Sequence, residues 1–195
     1  MFRMIQILAV VASLALGIAS AGPVHADEKQ DRAIQVTERL LAEAHSALTG
    51  NGNGTALRGA ISSAFAFDVW ERFLIESRSD AFTDDQRSNF RSLLPGFLAH
   101  LYQHQFQKGL DTAPTLGDAR KVRRDVLVSS TFLRPNGGDL PVDWRVREFP
   151  DRGAQVIDVM VGGTSFLVLK REEFAAMIDS GGAEAVLTHM QRNSL

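Results

Sequence analysis

Apolar residues recur at helical spacing through the first half of the chain and at alternate positions through most of the second. From Asp31 to Thr49, Ile34, Leu40, Leu41, Ala44 and Leu48 predict an amphipathic helix, ended by Asn51-Gly52-Asn53-Gly54. A second helix is expected from Thr55 to Phe65 and a third from about Asp68 to about Arg78. Thr83-Asp84-Asp85-Gln86 has the layout of a helix start. Thr83 can accept from the N–H three residues on, Gln86 can reach back, and two carboxylates sit at the positive end of the dipole. The helix that follows carries Phe90, Leu93, Leu94, Phe97, Leu98, Leu101 and Phe106 as a broad apolar stripe. Pro95 lies inside it and removes one internal hydrogen bond, so a bend is expected there.

After a loop at Asp111 to Gly117 the period changes to two. Val122, Arg124, Val126, Val128, Ser130 and Phe132 fall on one face of a strand, and Pro135-Asn136-Gly137-Gly138 turns the chain. Leu140, Val142, Trp144 and Val146 then alternate with Asp143, Arg145 and Arg147. A third strand is expected from Val156 to Val161 and, after Gly162-Gly163, a fourth from Thr164 to Leu169. Short turns between strands make an antiparallel meander. Two short helices, about Glu172 to Ser180 and Ala183 to Gln191, close the chain around Gly181-Gly182. The expected architecture is α+β, with about six helices packed on a four-stranded antiparallel sheet.

The start of the chain reads differently. Arg3 is followed by an apolar run from Ile5 to Ala19, and Val24-His25-Ala26 puts small residues at the −3 and −1 positions of a cut before Asp27. That is the layout of a secretory signal peptide over residues 1–26, leaving one domain over 27–195. The alternative, a membrane anchor, needs roughly 20 apolar residues, more than this run supplies. Losing Arg3 takes the formal charge from −2 to −3, which offers no electrostatic footprint for nucleic acid. The absence of cysteine excludes disulfides and thiol chemistry. Twelve Phe against one Tyr and two Trp give a large apolar surface with few polar tips.

Several segments, in order, carry a family resemblance. Val156-Ile157-Asp158-Val159-Met160-Val161-Gly162-Gly163-Thr164-Ser165-Phe166, followed by Arg171-Glu172-Glu173-Phe174, resembles the signature of the MlaC, or toluene-tolerance auxiliary, family. Phe65-x-Phe67-Asp68, Gln86-Arg87-x-x-Phe90 and Leu101-Tyr102-x-x-x-Phe106 resemble the family's upstream steps. Three positions depart from it: Glu76-Ser77-Arg78-Ser79 replaces a Gly-aromatic step, Ala154 stands where Trp is usual, and Leu169-Lys170 replaces Asn-Tyr. Thr131 to Gly138 would suit a hopanoid-associated branch of the HpnM type. The resemblance implies a curved sheet with helices, partly like the NTF2 cone, around an apolar cavity. It further implies a periplasmic, non-enzymatic shuttle, without cofactor, that carries phospholipid. Its partners would be an outer-membrane lipoprotein complex and an inner-membrane ABC transporter bearing an MCE-domain ring. A monomer is the natural form for a shuttle. A hopanoid-related lipid is the alternative cargo.

The candidate lipid-binding residues are Phe73, Phe90, Leu94, Phe97, Leu98, Leu101 and Phe106 on the helices. On the sheet they are Val126, Val128, Trp144, Val146, Val159 and Val161. Taken singly, each is as well explained by ordinary core packing. Other features carry less. His100 and His104 are four apart on a helix, but no third ligand is evident beside them. Ser165 lacks a nucleophile elbow, and with Asp158 it fits a strand end better than catalysis. Arg123, Arg124, Arg145 and Arg147 fit solvated strand faces or a docking patch for an acidic partner. An enzyme built on an NTF2-like pocket would need a buried carboxylate or His there, where the sequence offers mostly Phe, Leu and Val. A structural adaptor with a filled core is the third reading.

Overall fold

The structure, a computed structural model, describes residues 24–50, 54–106, 112–134 and 136–195. The expected signal sequence up to residue 23, most of the Asn51–Gly54 turn and Pro135 lie outside the described residues. Helices α1 (Val24–Thr49) and α2 (Gly54–Ala64) pack on each other, and α1 also contacts strands β1 (Thr115–Val122), β2 (Asp125–Leu133), β3 (Asp139–Phe149) and β4 (Gly153–Val161). Next come α3 (Phe67–Ile75), a 3-10 turn (Glu76–Ala81) and α4 (Asp84–Phe106). After β4 come the two-residue strand β5 (Thr164–Ser165) and α5 (Phe166–Arg192), which packs on α3, α4 and β4. Buried side chains of all five helices and of β2, β3 and β4 join in one hydrophobic core.

The capping box forms as the sequence predicts. Thr83 N–H donates to Gln86 Oε1 (3.0 Å) and Gln86 N–H to Thr83 Oγ1 (3.2 Å). Helix α4 runs as one element through Pro95. Beside it, Leu195 N–H donates to the Gly96 carbonyl (3.2 Å), and a Cβ at Gly96 would fall 2.2 Å from Ser194 Oγ. Only glycine admits that approach.

The sheet is a meander in the order β1-β2-β3-β4-β5 with every pair antiparallel. Val126 opposes Val146, Val128 opposes Trp144 and Ser130 opposes Val142, so alternate residues meet on the core face. Trp144 Nε1–H donates to Ser130 Oγ (2.8 Å) and the Ser130 hydroxyl to the Val142 carbonyl (2.9 Å), satisfying the polar atoms buried there. In β4 the register slips by one residue at Ile157, since Arg145 opposes Asp158 while Val146 opposes Val156. Strict alternation would send Val156 and Val159, three apart, to opposite faces. The bulge lets both oppose core residues and turns Asp158 to the side of Arg145.

Two expectations are corrected. Among the described residues the sheet has five strands, not four, and there are five α-helices, not six. The strand expected to run through Val122 and Phe132 is two strands joined at Arg123-Arg124, with Arg123 at φ +57°. Arg124 is therefore in a turn, and the loop expected to reach Gly117 gives way to β1 at Thr115. The expected fourth strand keeps only Thr164 and Ser165, and α5 begins at Phe166. The two closing helices are one element, broken at Gly182 (φ 67°, ψ −169°), where the glycine pair had placed their boundary.

Candidate functional site

A cavity of about 640 Å³ lies between α2, α4, the start of α5 and strands β3 to β5. Helix α2 and the residue after it supply Ile61 and Phe65; α4 supplies Leu98, Leu101, Tyr102, His104 and Gln105. The sheet contributes Trp144, Val159, Val161 and Thr164, and the first turns of α5 contribute Phe166, Leu169, Lys170 and Glu173. The wall is thus mainly aliphatic and aromatic, with its polar groups near the α4 and α5 ends. Burial pushes the Tyr102 hydroxyl pKa well up, keeping that group neutral.

The structure brings five of the sequence candidates to this wall: Leu98, Leu101, Trp144, Val159 and Val161. Phe90, Leu94, Phe97, Val126, Val128 and Val146 are buried in the core and do not line it. Phe73 is half-buried in a separate groove beside the 3-10 turn, with the Arg171 guanidinium 4.7 Å from its ring centroid. Only the backbone of Phe106 belongs to the described residues. Sequence reasoning missed Phe166 and Leu169, and with them Lys170 and Glu173, because an expected strand over residues 164–169 hides the helical start that brings all four to the cavity. Ser165, a good N-cap ahead of an apolar run, was the available signal.

One corner sets where α5 enters. Asp158 Oδ1 accepts from the Val159 (2.8 Å) and Leu167 (3.2 Å) N–H groups, and Oδ2 accepts from the Ser165 hydroxyl (2.7 Å). Ser165 Oγ in turn accepts from Val168 N–H (3.1 Å), capping the helix. Burial raises the Asp158 pKa, and the hydrogen bonds from Ser165, Leu167 and Val159 offset only part of that rise. These groups fasten strand to helix and so place Phe166 through Glu173 at the cavity.

Arg145 and Arg147 both reach Asp125, with each Nε 2.7 Å from a carboxylate oxygen. Asp125 is fully buried, and burial alone would raise its pKa; the Arg147 and Arg145 hydrogen bonds outweigh that and hold it below the usual value. Arg123 and Arg124 are exposed at the β1–β2 turn. The rings of His100 and His104 lie 4.5 Å apart, and burial, then the neighbouring His104, lowers the His100 pKa. Among the described residues no group of three or more His, Asp or Glu could hold a metal ion.

Fold and site together define an α+β protein whose open antiparallel meander and helices border a mainly apolar pocket open to solvent. Residues 28–192 match the family described as MlaC protein, and the chain belongs to that family. A solved structure described as the phospholipid-binding protein from Ralstonia solanacearum in complex with a phospholipid has a similar fold. It is 18% identical, with a TM-score of 0.65, over 85% of this chain and 96% of that one. No curated protein sequence matches this one.

Proposed function

We propose that the mature protein is a periplasmic carrier that binds a phospholipid by its acyl tails in the cavity between α4, α5 and the sheet. The observation that carries this reading is the cavity of about 640 Å³ with its largely apolar wall. That size lies inside the roughly 300–1,000 Å³ range of small-molecule sites. Membership of the MlaC family supports it, as does the likeness to a fold described with a bound phospholipid.

The physical need is plain. Each methylene costs about 0.8 kcal/mol to expose, so a tail of roughly 14 methylenes costs on the order of 11 kcal/mol bare in water. Shape and an apolar wall meet that cost, and no nucleophile or cofactor is required. Ile61, Phe65, Leu98, Leu101, Trp144, Val159, Val161, Phe166 and Leu169 are the tail contacts in this reading. The six buried candidates that do not line the wall, Phe90 and Val128 among them, serve as its scaffold. Among the described residues no helix is long and apolar enough to cross a membrane, and export rests on cleavage after Ala26. Lipid would pass between an outer-membrane lipoprotein complex and an inner-membrane MCE-type ABC transporter. Release requires a partner that binds the emptied or opened state better.

The test is native mass spectrometry of protein purified from the periplasm without detergent, with lipid extraction of the same sample. A stoichiometric added mass that extracts as phospholipid is expected. A hopanoid would reassign the cargo. A clean lipid-free mass that persists after exposure to vesicles would defeat the carrier.

A further inference from the structure

Among the described residues the cavity wall carries one Lys and one Glu, and they are neighbours. Lys170 and Glu173 lie three apart on α5, both line the cavity, and Lys170 Nζ sits 2.6 Å from Glu173 Oε2. The lysine is largely withdrawn from water, with its side chain 17% exposed. Its ammonium lies 5.5 Å from the ring centroid of Phe166 and 5.9 Å from that of Phe97. The other Glu173 oxygen is 3.5 Å from His189 Nε2. Sheltering an ion pair at an apolar wall costs desolvation, and a pure hydrocarbon ligand would return none of it.

A ligand that carries a phosphate diester beside an ammonium returns it on both sides. The phosphate accepts from Lys170, the ammonium donates to Glu173, and four charges alternate in sign. An anionic head group that lacks an ammonium, such as phosphoglycerol, offers no cation to Glu173 and brings its phosphate near the carboxylate uncompensated. We infer that the cavity selects zwitterionic over anionic phospholipids, Lys170 holding the phosphate and Glu173 the ammonium. The inference rests on the carrier reading and adds a head-group preference to it.

The experiment loads lipid-free protein from vesicles of phosphatidylethanolamine and phosphatidylglycerol in equal amounts, matched in acyl chains. Bound lipid is then extracted and quantified by mass spectrometry. One charge-assisted hydrogen bond gained or lost is worth about tenfold, so the wild-type protein should hold the zwitterion in about tenfold excess. Glu173→Gln should bring the ratio to parity or below, and Glu173→Asp, which keeps the charge, should preserve the excess. Lys170→Gln should lower the total of both lipids. Glycerophosphoethanolamine, the same head group without tails, should not displace bound lipid; displacement would make this an ion site independent of the pocket and overturn the inference. Equal loading of the wild-type protein, or a ratio unmoved by Glu173→Gln, would overturn it too while leaving the carrier standing. Failure to load either lipid would instead defeat the carrier reading itself.

Discussion

Replacing Asp158 by alanine isolates the corner that positions the α5 side of the cavity wall. The carboxylate accepts three hydrogen bonds, from Val159 N–H, Leu167 N–H and the Ser165 hydroxyl. Alanine leaves two buried backbone donors unsatisfied, each at about 1–3 kcal/mol, and frees the Ser165 cap. Removing a carboxylate that burial already disfavours returns part of this, for a net loss of about 3 kcal/mol. For a domain of this size that is a fall in Tm of about 6–12 °C. Asp158→Asn keeps an acceptor and should cost about 1 kcal/mol. Ser165→Ala should also cost about 1 kcal/mol, as a lost cap does. The two sites share one network, so the losses in Asp158→Ala/Ser165→Ala should sum to less than their parts.

The pH dependence follows from the same carboxyl. Its folded pKa lies above 3.8, so the folded state holds the proton more readily than the unfolded chain. The resulting stability is present below 3.8 and is lost as pH rises through the folded value. Asp158→Asn should remove that slope. Thermal unfolding followed by circular dichroism across pH 3–7 reads both effects. A fall of less than about 2 °C for Asp158→Ala at neutral pH would refute the role given to this corner.

Other expectations are quickly stated. Leu101→Arg places an unpaired charge on the half-buried wall, and the protein should fold but purify with its bound lipid reduced about tenfold or more, read by lipid extraction. Asp125→Ala strands Arg145 and Arg147 and should destabilise by about 3 kcal/mol in denaturant titration. In the intact protein the depressed Asp125 pKa contributes stability that is present above 3.8 and lost as pH falls through the folded value, so Asp125→Asn should flatten the acid limb. Gly96→Ala forces the Ser194–Leu195 segment away from α4 and breaks its hydrogen bond to the Gly96 carbonyl. Alanine's helix preference offsets part of the loss, so Tm should change by no more than about 1 kcal/mol's worth while residues 194–195 come free of α4.

What the sequence made legible was what local physics decides. The Thr83–Gln86 cap, the apolar stripe of α4, the alternation of β3 and the break at Gly182 all recur in the structure. The β1–β2 turn was hidden because Arg123 takes a left-handed conformation without the Gly or Asn that usually announces one. Edge strand β1 was hidden because its residues are half-buried or exposed and lack the alternation that marks a strand. Phe166-Leu167-Val168-Leu169 is an apolar run that suits a strand or a buried helix, and periodicity cannot separate the two. Tertiary contacts decide it, through Asp158 and Ser165. The site was legible only in part for the same reason. Apolar type marks Phe90, Val126 and Val128 as interior without telling packed core from cavity wall, and that distinction arises only when three helices and the sheet meet.

The carrier claim is tested most directly by transfer of a fluorescent phospholipid between vesicles. Donor vesicles hold the lipid at self-quenching density, acceptors are in excess, and the protein from Asp27 onward is added without either membrane complex. The account predicts dequenching whose rate rises in proportion to protein concentration and is lost in Leu101→Arg. Transfer no faster than the spontaneous rate, with no lipid found on the protein afterwards, would contradict it.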